Sequence, residues 1–342
     1  MLDCAVIGAG LAGLTAGRDL VRRGLNVVVL EARDRVGGRL ENVSLPDGQY
    51  VELGGQWIGT GHDQMSDLID EFGLDVLGNP APGSFLVRLR GRLVVLPAPD
   101  EAAELTPFEI ADLGSGLLRL RRLGQRFRDD PVWTRANHVW LSQDLDTWVA
   151  ANMRTAGARD RFRTVYEMAF GHDSASATLQ EGLMEVNSGP NLESMLAPNG
   201  GLNQQRIDGG AYRLAESMAS GLGDIVRLGC EAIRVEHDDA GATVVLAGGE
   251  RVRARQVIST LPPKLAMTLE HDPPLPQWRI DEANKIASGN VIKACLVYER
   301  PFWRDACLSG QSSTDEGAVR VTFDTTVEGE KRRGLLMGFF EG

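Results

Sequence analysis

The chain has 342 residues, 43% of them hydrophobic and 24% charged, with 40 glycines and a formal net charge of −11. That length exceeds what one hydrophobic core usually organises, and the composition is that of a folded globular chain, so two domains are expected. The negative balance opposes non-specific binding to nucleic acid or to an anionic membrane.

Residues 6–14, Val-Ile-Gly-Ala-Gly-Leu-Ala-Gly-Leu, read as an apolar strand entering a GxGxxG turn, then a helix in which Leu14, Leu20 and Val21 share a buried face. A second strand over 26–30 ends at Glu31. Strand, turn, helix, strand and acid in this register predict a dinucleotide-binding βαβ unit. Gly8 permits the tight turn, Gly10 leaves room for a pyrophosphate, and Gly13 lets helix and strand close up. The unpaired N–H groups at the helix start would face the phosphates. Glu31 lies about 20 residues beyond the turn, where a carboxylate accepts the adenosine ribose hydroxyls and repels a 2′-phosphate.

The next residues, Glu31-Ala32-Arg33-Asp34-Arg35-Val36-Gly37-Gly38-Arg39, resemble the extension that follows the ribose acid in the flavin-containing amine oxidase family. That family includes monoamine, polyamine and L-amino-acid oxidases. The resemblance implies a Rossmann-like α/β FAD-binding domain beside a mixed substrate domain with a largely helical cap. It also implies FAD contacts at Ala32, Arg33, Gly38 and Arg39; a solvated basic loop is the other reading of the arginines. Residues 48–59 resemble the family segment that passes the flavin ring. Gly54 and Gly55 would then lie against the isoalloxazine, with Gln56 and Trp57 close by. Family members that use amino acids often carry methionine-arginine where this chain has Gln56-Trp57, which points to an amine lacking an α-carboxylate. Gly59-Thr60-Gly61-His62 departs from the family pattern, leaving His62 as a surface or capping residue.

Met65, Leu68, Ile69 and Phe72 have helical spacing with Gly73 as a stop, and residues 85–89 and 93–96 flank a short hairpin turn, Arg90-Gly91-Arg92. Ile110, Leu113, Leu117, Leu120, Leu123 and Phe127 form one apolar helical stripe, accompanied by arginines read as a solvated face. Further helices are expected around Leu141–Val149, around Phe162–Phe170, and from Leu179 to a stop at Gly189-Pro190. Ile207-Asp208-Gly209-Gly210 resembles the family's return to the nucleotide domain, and Val226 matches the position whose backbone meets adenine. Short strands follow at 232–236, 243–246 and 252–255, and residues 256–261 read as a strand stopped by Pro262-Pro263, which lack N–H donors.

Residues 289–298 with Pro301-Phe302-Trp303 resemble the family strand whose lysine lies near flavin N5 and holds a water, assigning that role to Lys293. An ammonium on an apolar strand is costly to bury unless paired or neutralised; an edge lysine with its amine in solvent is the alternative. The implied chemistry is hydride transfer from an amine-bearing carbon to flavin N5, hydrolysis of the imine to a carbonyl compound, and reduction of O2 to H2O2. Open alternatives are an L-amino-acid oxidase, a flavin desaturase, and a noncatalytic flavoprotein or assembly subunit.

Cys4, Cys230, Cys295 and Cys307 are too widely spaced for a zinc site or a disulfide framework, and the five histidines form no metal-ligand pattern. Cys4 and Cys295 lie in apolar runs that predict buried thiols. No run reaches 18 apolar residues, and no leader fits before the glycine turn, so a cytoplasmic protein that spans no membrane is expected. The expected division is 1–80 and 205–288 for the FAD-binding domain, 81–204 for the substrate and cap region, and 289–342 for further substrate-domain strands. Relatives continue past the strand at 334–342, which leaves three alternatives: a truncated sequence, a separate or cleaved C-terminal fragment or second polypeptide that completes the fold, or a degenerate product retaining only part of the site. The chain alone is therefore expected to bind FAD weakly in an absorbance titration; tight stoichiometric binding with full turnover would contradict this.

Overall fold

The computed structural model describes residues 1–59, 61–78, 83–89, 91–96, 105–170, 174–186, 205–286, 291–314, 317–327 and 332–341. In chain order the first part comprises β1 (Leu2–Ile7), α1 (Leu11–Arg22), β2 (Val27–Leu30), β3 (Asn42–Ser44), β4 (Tyr50–Glu52), β5 (Trp57–Ile58), α2 (Asp63–Glu71), β6 (Val76–Gly78), β7 (Ser84–Leu89) and β8 (Arg92–Leu96). Helices follow: α3 (Pro107–Asp129), α4 (Pro131–Ala136), α5 (His138–Leu141), α6 (Leu145–Asn152), α7 (Ala156–Phe170) and α8 (Leu179–Val186). The return comprises β9 (Gln205–Ile207), α9 (Tyr212–Leu222), β10 (Val226–Arg227), β11 (Ala232–Asp238), β12 (Gly241–Leu246), β13 (Arg251–Ser259), α10 (Pro263–Ala266), β14 (Glu270–Asp272) and α11 (Gln277–Lys285). The last strands are β15 (Val291–Tyr298), β16 (Leu308–Thr314), β17 (Val319–Asp324) and β18 (Gly334–Glu341).

The first sheet has the order β10-β2-β1-β13-β12-β11-β14. Its β10-β2-β1-β13 portion is parallel, and β1 and β2 at its centre are largely buried, which is why these two strands are nearly continuous apolar runs. Leu14 is fully buried on the α1 face, and Leu20 and Val21 pack against the same core. Residues 251–259, expected as two strands, form one. Residues 251–254 of β13 pair antiparallel with β12, while residues 254–259 run parallel to β1, so a single strand serves both halves of the sheet.

A second sheet, β15-β18-β17-β16-β7-β8, is antiparallel except between β16 and β7. The helices α3–α8 share a core in which Leu120, Leu141, Leu145, Phe162 and Leu183 are fully or almost fully buried. The stripe read from α3 faces this core through Leu113, Leu117, Leu120, Leu123 and Phe127, whereas Ile110 and the accompanying arginines are exposed, Arg126 lying over the Trp133 ring at 4.6 Å. Thr106 and Glu109 start α3 with a reciprocal cap, each side chain accepting the other residue's backbone N–H. The helix stop at Gly189-Pro190, and Arg90 of the β7–β8 turn, lie outside the described residues. The small sheet β5-β9-β6 joins the ends of the outgoing and returning segments. Among the described residues, no helix is long and apolar enough to cross a membrane.

The Phe162 and Tyr166 rings stack at 5.9 Å within the helical core. Phe162→Ala should cost about 3–5 kcal/mol of stability by chemical denaturation. A loss below about 1 kcal/mol would mean that this ring is not part of a packed interior.

Candidate functional site

The GxGxxG turn behaves as its residue types require. Gly8 has φ +101°, and a Cβ on Gly13 would lie 1.9 Å from Gly8 O, so the helix meets the turn backbone to backbone. Gly10 is the N-cap of α1, has no side-chain cap, and is followed by no acidic residue in the first turn. The leading N–H groups are thus available to an anion. The second glycine loop presses on the first: Gly37 N–H donates to Ala9 O at 2.9 Å, and Gly10 bridges Gly37.

Glu31 is buried at the end of β2. Its Oε2 accepts the Ala9 N–H at 2.8 Å and its Oε1 the Arg33 N–H at 3.1 Å. Each carboxylate oxygen keeps a second lone pair for a ligand hydroxyl. Val226 pairs with Val29 at the sheet edge, and Arg227 O accepts the Glu31 N–H, which places β10 directly beside the acid. Gly8, Gly10, Gly13, Glu31, Gly38 and Val226 therefore surround one cradle whose backbone donors and acidic end fit a dinucleotide.

Ala32, Arg33 and Arg39 are exposed at its rim. The Arg33 guanidinium donates to Gly38 O at 3.0 Å, bracing the loop. Arg35, which the sequence reading did not single out, donates to Val36 O and Leu40 O, each at 3.0 Å, and pairs with Glu41. Thr260, also missed, donates its hydroxyl to Ile7 O at 2.8 Å and fastens the end of β13 behind the turn.

From the second glycine loop the site continues toward the antiparallel sheet. A Cβ on Gly54 would sit 2.0 Å from Arg39 O, and Gly55 N–H donates to that same oxygen at 3.2 Å. The turn between β4 and β5 is thus pressed onto the loop after Gly38. Lys293 reaches it from β15, donating to Gly54 O at 2.8 Å and to Gln56 Oε1. Burial pulls the Lys293 ammonium down to about 8, against the attraction of the Glu52 carboxylate. The solvated-lysine alternative does not hold: the side chain turns inward.

Lys293 lies opposite Phe339 in the β15–β18 register, and Cys295 opposite Met337. The face they share carries Phe323 and Phe339, whose rings stand 4.8 Å and 6.1 Å from Trp57 in edge-to-face contact. Cys295 is half-buried rather than fully enclosed, because β15 is an edge strand; Cys4 is fully buried. His62 precedes α2, and its Nδ1 accepts the Gly59 N–H at 3.3 Å, a turn-holding role.

Two buried charges beneath the turn were not anticipated. Glu52 is 5% exposed and Arg206 3% exposed, with Arg206 Nη1 4.0 Å from Glu52 Oε2. Glu52 Oε1 accepts the Ala211 N–H at 2.8 Å, and Arg206 Nη1 donates to Thr325 O at 2.9 Å. Burial pushes the Glu52 carboxyl above the usual carboxylate range, opposed by the Ala211 hydrogen bond and by Arg206 and Lys293. The sequence signal, available only in retrospect, is that each charge lies shortly before a glycine pair, Gly54-Gly55 and Gly209-Gly210. Gln49 Nε2, Gln56 Nε2, Trp57 Nε1 and Arg206 Nε are buried without a partner among the described residues. Such orphaned polar atoms concentrate where a ligand or water belongs.

A glycine-lined dinucleotide cradle running into an aromatic and lysine-bearing sheet face defines a flavoenzyme class. Comparison with known proteins then specifies it. Residues 11–342 match the model of the flavin containing amine oxidoreductase family. Putrescine oxidase of Kocuria rosea is 32% identical over 359 aligned residues, covering 98% of this chain and 72% of that protein. An L-amino acid dehydrogenase of Synechocystis is 29% identical, covering 90% of this chain and 66% of the relative. A solved putrescine oxidase bound to putrescine superposes with a TM-score of 0.89 at 28% identity, covering 99% of this chain and 75% of that one. The chain belongs to the flavin containing amine oxidoreductase family. It is an FAD-dependent amine oxidase.

Gly13→Ala would force α1 away from the turn and should weaken FAD binding by at least about tenfold. Gly114→Ala serves as control, since no atom lies within 4 Å of its added Cβ. Equal FAD dissociation constants for the two variants in an absorbance titration would show that the cradle does not hold the cofactor.

Proposed function

We propose that the chain catalyses oxidative deamination of a small-molecule amine with O2 as the electron acceptor. Bound FAD would supply the hydride acceptor at N5, the resulting imine hydrolysing to a carbonyl compound while O2 becomes H2O2. The chain's own contribution is placement. The cradle at Gly8, Gly10, Gly13, Glu31, Ala32, Arg33, Gly38, Arg39 and Val226 anchors the dinucleotide, and the turn at Gly54, Gly55, Gln56 and Trp57 supports its reacting end. Trp57, Phe323 and Phe339 present an apolar wall that would exclude water and orient the amine-bearing C–H bond. Lys293 would orient a water from its remaining hydrogen-bonding position. The observation that carries this reading is the inward hydrogen bond from Lys293 to Gly54 O at 2.8 Å, which ties the substrate-side sheet to the cofactor-side turn.

In the same proposal, residues 1–80 and 205–288 serve the cofactor, while 81–204 and 289–342 serve the substrate. The separate hydrophobic cores under the first sheet and among the helices support that division. A further polypeptide segment would complete the cofactor side. Beyond Ala254, β13 has β1 on one flank and no strand on the other among the described residues, and this edge borders a cavity of about 1110 Å³ lined by Cys4, Val257, Ile258 and Leu269.

The similarity to an L-amino acid dehydrogenase makes an amino-acid substrate the second reading. Anaerobic stopped-flow mixing with primary amines, diamines and L-amino acids separates the two. Bleaching of oxidised flavin by amines or diamines is expected. Bleaching by L-amino acids alone would transfer the assignment to the second reading, and persistent colour with every substrate would overturn both.

A further inference from the structure

Two acceptors meet the Lys293 amine, Gly54 O at 2.8 Å and Gln56 Oε1, and both belong to the turn between β4 and β5. An ammonium carries three N–H donors; a neutral amine carries two and a lone pair. With two positions directed at acceptors, one remains. Proton loss converts that position from a donor to an acceptor while the other two bonds persist. The Gln56 side chain is almost fully buried, and its Nε2 has no partner among the described residues, so the lysine contact is the polar interaction that fixes its carboxamide. The charged and titratable groups facing Lys293 are Glu52 on β4, Arg206 on β9 and Cys295 on its own strand. Burial brings the ammonium to about 8, Glu52 favouring it and Arg206 opposing it, while burial also raises the Cys295 thiol, so Cys295 is uncharged where Lys293 titrates.

We propose that Gln56 is a positioning residue which, together with the Gly54 carbonyl, holds Lys293 as a single-position proton switch at the reacting end. The proposal rests on the reading of Lys293 given above and adds what controls it. Below the midpoint the third position donates a hydrogen bond; above it, the proton has left to solvent and the lone pair accepts one. Only one proton moves, and no oxidant or reductant is involved.

Competitive acetylation of the full chain across a pH series, read by mass spectrometry of the Lys293 peptide, gives the titration midpoint with or without FAD. Gln56→Met keeps the side-chain length but removes the acceptor, and should lower the midpoint by about one pH unit. Gln56→Glu sets a carboxylate against the ammonium and should raise it by about one unit or more. In the FAD-loaded protein the pH limb of flavin reoxidation by O2 should move in the same direction in each variant and disappear in Lys293→Met. Unmoved midpoints overturn the positioning role, and midpoints that move without the limb overturn the switch. If Gln56→Met fails to fold, the near-isosteric Gln56→Glu decides the matter. Flavin that no amine reduces would instead refute the functional reading, and the labelling midpoints would still decide the role of Gln56.

Discussion

The site depends on backbone meeting backbone without side chains between. At Gly13 a methyl group would overlap Gly8 O, and at Gly54 it would overlap Arg39 O. Between these contacts, Gly10 and Gly37 bridge the two glycine loops. The series leads from the end of β1 to the turn that accepts the Lys293 hydrogen bond, so the two glycine loops and the Gly54 turn are parts of one rigid connection. Side chains at these points would separate the loops by the width of a methyl group and misplace a reacting atom by about the same distance, which catalysis tolerates poorly.

Beneath that connection lies a polar cluster that an apolar core would not contain. Glu52 and Arg206 are both buried, and their 4.0 Å separation gives a weaker contact than a close bidentate pair. What compensates the burial is backbone: Ala211 N–H for the carboxylate and Thr325 O for the guanidinium. The pair thereby fastens three distant segments, the end of β4, the loop entering α9 and the end of β17. It also sets the charge environment of Lys293, stabilising the ammonium through Glu52 and destabilising it through Arg206. Structural support and electrostatic tuning thus reside in the same residues.

Much of the cofactor side was legible because its signals are local. The apolar strand, the glycines and the acid after β2 lie within the first 31 residues, and each constrains its neighbours along the chain. The α3 stripe was legible for the same reason, since helical periodicity is a property of adjacent turns. The arginines after Glu31 were harder. The family resemblance implied FAD contacts at Arg33 and Arg39, but which guanidinium braces the loop and which stays at the rim depends on where the carbonyls of Val36, Gly38 and Leu40 point. The two roles of β13 were also hidden, because pairing partners separated by hundreds of residues leave no local periodic signal.

By itself, then, the sequence determined the dinucleotide cradle, the alternation of sheet and helical regions, and Lys293 as the residue of interest on its strand. The first two follow from short-range sterics and hydrophobic periodicity, which a chain carries wherever it is placed, whereas Lys293 was singled out by its resemblance to the family's lysine-bearing strand. Only the tertiary structure decided that Lys293 turns inward to Gly54 and Gln56, that Phe339 and Trp57 stand beside it, and that Glu52 and Arg206 are buried together. Desolvation and Coulomb attraction act between groups that folding brings together, so the charge on that lysine is a property of the assembled site.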